Sequence, residues 1–348
     1  MCNYSSMERK TIISLLIIFV VLLSGCKTIE KAGINMISDV MAGEGSAELF
    51  TGDNDPELVK DALPFILKMY EMLSEKNFKD SDLLLATGST FIMYSNVFIQ
   101  TTAIMLPDER FMEQYNMLIR SKKMYQRGTE YVLQALELRH KGFRENLDNG
   151  MIDLALADMD VDDVPYLYWA ASGLMGAFST DPFDFSLGPD LYKPVAFLYK
   201  ALSIDETFSN GNLHDLLILL NSSVPDGLMF KRGESESPIN NYVDDYYKSL
   251  GIKTPFEKAR FHFNRSIEIS GGNYADPYIS LATTVSVNEQ DLEEYERLLN
   301  AALEIDPDAY PEMRLAGLIF RDKAQWYLDH KSDYFLLDID EGDFDEVY

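Results

Sequence analysis

EKARFHFNRSIEISGGNYADPYISLATTVSVNEQDLEEYERLLNAALEIDP, residues 257–307, reads as helix, turn, helix, turn, helix. The first helix carries Ala259, Phe263, Ser266, Ile267 and Ile269. The third carries Tyr295, Leu299, Ala302, Leu303 and Ile305, each 36 positions on from its counterpart. Between them Tyr278, Leu281, Ala282 and Val285 fall at i, i+3, i+4, i+7, which is one face of a helix. Small residues at 259, 266, 282 and 302 let helix backbones approach closely. Pro307 follows the last helix, where it cannot continue it.

The pattern echoes upstream. Ala201-Leu202-x-Ile204 precedes Ser266-Ile267-x-Ile269 by 65 positions, and Ala135-Leu136-x-Leu138 precedes Ala201 by 66. Both offsets are close to two tetratricopeptide lengths, and Ala302-Leu303-x-x-x-Pro307 closes a helix as in such a repeat. Packing alone produces Ala-Leu pairs in a plain helical bundle, but recurrence at a fixed offset favours the repeat. The expected fold is all-α: degenerate tetratricopeptide-like helical hairpins, a solenoid or bundle interrupted by loop insertions.

Residues 1–25 read as a signal peptide. Arg9 and Lys10 are its basic start, with Met1 and Met7 both available as initiators. Ile12 to Leu23 is apolar but too short for a membrane span of about 20 residues. Leu22-Leu23-Ser24-Gly25-Cys26 has the form of a bacterial lipobox, with small residues before the cleavage point and a thiol to take the diacylglyceryl group. Cys26 is thus the expected lipid site. Lys27 in place of Asp favours the outer membrane, facing the periplasm. The second cysteine, Cys2, goes with the signal, so no disulfide is expected. A net charge of −27 excludes nucleic acid and anionic membrane as partners, since both need basic footprints. Membrane contact is expected through the lipid alone.

Residues 26–54 read as a lipidated tether and 55–337 as the helical domain. Asp55-Pro56 caps a first helix with Leu58, Leu63, Ile66, Leu67, Tyr70 and Leu73 inward. Residues 80–106 form a buried central helix. Asp108 opens a long helix to about His140 whose exposed face holds Arg120, Lys122, Lys123 and Arg127. Asp163 caps the most aromatic helix, 163–178. Residues 179–193 and 222–254 are insertions long enough to close over a groove. Residues 338–348 hold six acids and no base, a solvated tail.

Catalytic and metal patterns are not found. His140, His214, His262 and His330 lie apart in sequence and in no metal-ligand spacing, and no phosphate loop or nucleophile elbow occurs. The reading is therefore non-enzymatic, with no metal and no cofactor, and His262 is expected as a core histidine. A concave helical array binds partners. Tyr94, Tyr166, Tyr168, Trp169, Phe178, Tyr192 and His214, with Phe183 and Phe185, are candidates to line an apolar ligand pocket. Their competing role is plain core.

Five ordered blocks carry a further resemblance: RSKKMYQRGTEYVLQALELRHKGF (121–143), DDVPYLYWAASGLMGAF (162–178), NGNLHDLL (210–217), KARFHFNRSIEISGGNYADPYISLA (258–282) and LLNAALEIDPDAYPEMRLA (298–316). Together they resemble the lipoprotein T components associated with TRAP transporters (TatT), from about residue 56 to 337. The resemblance implies a periplasmic, lipid-anchored helical protein. It would work beside a TRAP-type solute-binding protein that delivers an organic acid or other small ligand to an inner-membrane carrier. It also implies a homo-oligomer, a trimer being one form. The alternative is a repeat scaffold for outer-membrane assembly or envelope maintenance, with protein partners only.

Overall fold

The computed structural model describes residues 48–184, 186–224 and 238–336. Residues 1–47, which include the expected signal peptide, the expected lipid site Cys26 and most of the expected tether, together with Phe185, the segment 225–237 and residues 337–348, lie outside the described residues. Among the described residues all regular structure is helical, as expected.

Asp55 caps the first long helix as its spacing predicts. Its carboxylate accepts the Leu58 N–H at 3.0 Å and Pro56 takes the first position of α1 (Pro56–Lys76). Helix α2 (Ser81–Ile104) is long and apolar enough to cross a membrane, but most of it is buried in the fold. It widens to a π-turn at Ser95–Gln100, where Ser95 meets the Ser121 hydroxyl at 2.8 Å. Helix α3 (Phe111–Arg139) crosses α2 at Gly88 and Gly128. A Cβ on either would sit 2.6 Å from the other's carbonyl oxygen, so the two backbones touch.

The other long helices are α4 (Val164–Thr180), α5 (Tyr192–Ile204), α6 (Asn212–Ser223), α7 (Pro238–Leu250), α8 (Pro255–Ser270), α9 (276–289, with a π-turn at Ala282–Ser286), α10 (Leu292–Glu304) and α11 (Arg314–Asp329). They pair as α2 with α3, α4 with α5, α6 with α8, and α9 with α10. Helices α2, α4, α6 and α9 also touch in that order, forming one layer. The Ala-Leu echoes close the second helix of each pair, at the ends of α3, α5, α8 and α10. Ala259, Ser266, Ala282 and Ala302 are fully buried, as close helix approach requires.

The last helix then returns to the first. Leu315 and Ile319 of α11 pack with Val59, Leu63 and Leu67 of α1, and the Arg314 guanidinium donates to the Gly52 carbonyl at 3.1 Å. The two ends of the array are therefore joined by apolar contact.

Several local expectations differ. The insertion 222–254 carries helix α7, and the stretch expected as tether holds a helical turn at Glu48–Thr51. Leu58 points outward, 60% exposed, because the inward stripe of α1 runs through Val59 instead. Lys122 is drawn off the solvent face of α3 by Asp181 and Asp184. Asp163 does not cap α4 with its side chain. Its buried carboxylate instead accepts from Arg139 Nε at 2.6 Å and the Asp160 N–H at 3.0 Å, and lies 2.9 Å from His140 Nε2. Burial raises its pKa, but these donors outweigh that and hold it below the usual carboxylate value.

Candidate functional site

A line of polar side chains runs through the packed centre of α5, α6, α7 and α8. Helix α8 is fixed at its start by a capping box between Thr254 and Glu257 and at its end by Gly271 in the left-handed region. This sets His262 against α6, where His214 meets it with Nδ1 atoms 2.7 Å apart. His262 Nε2 lies 2.5 Å from the Tyr247 hydroxyl of α7, which is 2.5 Å from the Tyr199 hydroxyl of α5 and accepts from Asn221 at 3.2 Å. At the other end His214 Nε2 lies 3.3 Å from Glu206 Oε1, near in charge but poorly aligned for a hydrogen bond.

One proton arrangement suits the whole line. Arg265 Nε, 2.9 Å away, is the largest influence keeping Glu206 ionised, so His214 must turn an N–H toward it. The His214 Nδ1 is then an acceptor, His262 Nδ1–H donates to it, and Tyr247 donates to His262 Nε2. Both imidazoles are neutral. Burial is the main cause: it brings His214 down to about 4 and His262 well below its ordinary value, where neighbouring His214 and Lys258 act in the same direction. Burial also raises the Tyr199 and Tyr247 hydroxyls.

A second group lies beside the line. Asp215 is buried and accepts from the Ser266 hydroxyl at 2.5 Å. Burial, reinforced by the charge of Asp276, raises its pKa well above the ordinary value. Asp276 and Lys323 are half-buried. Burial raises Asp276 and lowers Lys323, and each charge opposes the effect of burial on the other. The loop into α6 reaches this region through three successive left-handed residues, Ser209, Asn210 and Gly211, and Asn210 donates to the Tyr274 hydroxyl at 2.8 Å.

The aromatic candidates do not form one wall. Tyr94 is buried among α1, α2 and α11 beside Phe98. Tyr166 is buried, donates to Asp82 at 2.7 Å and lies under the Arg139 guanidinium. Tyr168 and Trp169 remain half-buried and meet each other, and Tyr168 also meets Phe208. Phe178 and Tyr192 are half-buried against the same large core. Phe183 is 83% exposed. His214 joins the polar line instead. Among the described residues no group of His, Cys, Asp and Glu is placed to hold a metal.

Sequence reasoning did not single out Tyr199, Tyr247, Asn221, Asp215 or Lys323. The one local signal was a polar pair, His214-Asp215, inside the apolar run LHDLLILL. The insertion 179–193 is tied down by Lys122, whose ammonium pairs with Asp181 at 3.0 Å and with Asp184. Lys122 and hydrogen bonds from Ser186 bring Asp184 down to about 2.

Comparison with known proteins places this geometry in context. The sequence model of the family described as TRAP transporter T-component matches residues 52–236 and 240–335, most of the chain. A Treponema pallidum (strain Nichols) protein, described only as uncharacterized, is 27% identical over 330 residues, covering 90% of this chain and 94% of that relative.

Proposed function

Because the chain belongs to the TRAP transporter T-component family, we propose that it docks the solute-binding protein of a TRAP-type carrier and holds or relays a small apolar or organic-acid ligand. The family is an accessory transporter component associated with the periplasm. In this reading the chain is non-catalytic, self-associates, and is held by lipid at Cys26 on the periplasmic face of the outer membrane.

The observation that carries the docking reading is the family match over both halves of the helical array. Packed helix pairs suit it, since helical arrays bind partners on their surfaces. The ligand part rests on the half-buried aromatic pair Tyr168 and Trp169, with Tyr168 within electrostatic reach of Asp215 and Asp276, whose pKa values burial raises. Apolar walls with a few polar groups are the usual form of a small-ligand site.

The native lipoprotein, captured from envelope membranes in mild detergent, tests the docking reading by mass spectrometry of what accompanies it. A stoichiometric solute-binding protein is the expected result. Outer-membrane assembly factors in its place, or no binding protein after crosslinking, would overturn it. For the pocket, Trp169→Ala should weaken ligand retention while the chain stays folded. Unchanged retention would return Trp169 to the core.

A further inference from the structure

Two opposite charges face each other inside the fold without pairing. Ala275, just before α9, and Ala324 of α11 are buried in one core, and Phe320 of α11 packs against it. Each alanine has a charged neighbour in the chain, Asp276 and Lys323, and both of these are half-buried. The two charges act on each other, yet they form no ion pair. Among the described residues neither side chain makes a hydrogen bond, and the Lys323 ammonium lies 5.6 Å from the centre of the Phe320 ring. Tyr168 of α4, packed against the other large core and also half-buried, lies within reach of the charges of Asp215 and Asp276. Groups from α4, α6, α9 and α11 thus border one space that solvent reaches. Charges drawn out of water are normally paired, so an opposed pair held apart leaves both ends short of a partner.

We infer that Asp276 and Lys323 are the two poles of a site for a zwitterion with an apolar side group, a solute of the amino-acid kind. Its carboxylate would meet Lys323 and its ammonium Asp276, with the apolar group against Tyr168 and Trp169. Charge selects this class. Asp215 adds no second negative charge, because burial raises its pKa and its carboxyl is already bonded to Ser266. The Lys323 charge favours the ionised form of Asp276. The site therefore holds one charge of each sign. A simple organic anion would satisfy Lys323 and be repelled by Asp276. An amine would satisfy Asp276 and be repelled by Lys323. A molecule carrying both charges satisfies both poles.

The inference rests on the ligand reading above and narrows it from small apolar molecules and organic acids at large to one charge pattern. An apolar space with a few placed polar groups is the form such a site takes, the polar groups setting orientation and specificity.

Calorimetric titration of the full chain in mild detergent, after exhaustive dialysis, tests it with three matched probes. These are L-phenylalanine, hydrocinnamate, which lacks the ammonium, and phenethylamine, which lacks the carboxylate. L-phenylalanine should bind about tenfold or more tighter than either, since each analogue leaves one buried charge unpaired. Lys323→Met should reverse the order in favour of phenethylamine, and Asp276→Asn in favour of hydrocinnamate. Lys323→Arg keeps the charge and should keep the wild-type order. A merely structural role for the two residues would not invert the preference. Circular dichroism confirms that each variant is folded, and where Asp276→Asn is not, the two Lys323 variants carry the test. Hydrocinnamate bound as tightly as L-phenylalanine would overturn the zwitterion site and leave the ligand reading standing. Binding of none of the three, or variants that keep the wild-type order, would also overturn it. The ligand reading is judged apart from this, by solute retention in Trp169→Ala.

Discussion

His214 and His262 stand 48 positions apart in the chain, and their Nδ1 atoms are 2.7 Å apart in the fold. Two imidazoles at that distance share one proton. The carboxylate of Glu206 at one end of the line decides which ring gives it. The pair also joins α6 to α8, which pack as one of the helix pairs of the fold.

The pair predicts a pH response. Burial holds His214 at about 4 and His262 well below its ordinary value. Between about 6.5 and 4 the unfolded chain takes up protons that the folded chain refuses, so stability falls as pH falls through that window. The full loss for His214 is on the order of 3 kcal/mol. Urea unfolding at a series of pH values checks this, and His262→Gln should flatten the slope. An equal slope in that variant would show that the acid response comes from elsewhere.

Asp215 predicts the opposite sign. Its raised pKa means the folded chain keeps a proton that the unfolded chain releases above about pH 4, so this group alone lowers stability as pH rises. Asp215→Asn resembles the protonated form and should stabilise the chain at pH 7 by about 1–2 kcal/mol. Asp215→Ala leaves the Ser266 hydroxyl without its acceptor and should cost about 1–3 kcal/mol. Thermal unfolding of the two variants side by side separates charge from packing.

Gly128→Ala should destabilise by about 2–3 kcal/mol, although alanine is the better helix former. Its new methyl would press on the Gly88 carbonyl at 2.6 Å, with the Ile92 side chain at 2.8 Å. Gly188→Ala meets nothing within 4 Å and should stay within about 0.5 kcal/mol of wild type. Equal effects at the two sites in urea unfolding would contradict the backbone contact between α2 and α3.

Lys122→Met should release the loop residues 181–184 without disturbing the helices. Amide exchange across those residues is expected to quicken about tenfold, with the cores of α3 and α4 unchanged. Unaltered exchange would mean that the loop is held by its own turns.

The residues themselves determined the helices, their order and their close-packed faces. Periodicity is a local property, and a small residue at a crossing point is needed wherever two backbones meet. Ala259, Ser266, Ala282 and Ala302 therefore spoke for themselves, as did the Asp55-Pro56 start. The blocks at 121–143 and 258–282 likewise carried the family. Only the tertiary structure decided which distant groups share one environment. His214 reads as a pocket candidate and His262 as a separate core residue until α6 and α8 are packed, because a hydrogen bond across 48 positions leaves no periodic trace. Lys122 reads as solvent-facing until the loop with Asp181 and Asp184 folds over it. Leu58 reads as core because a second apolar stripe lies beside the first, and which stripe faces inward depends on α2 and α11. Burial sets the charge state of Asp215 and of both histidines, and burial exists only once every neighbouring helix is in place.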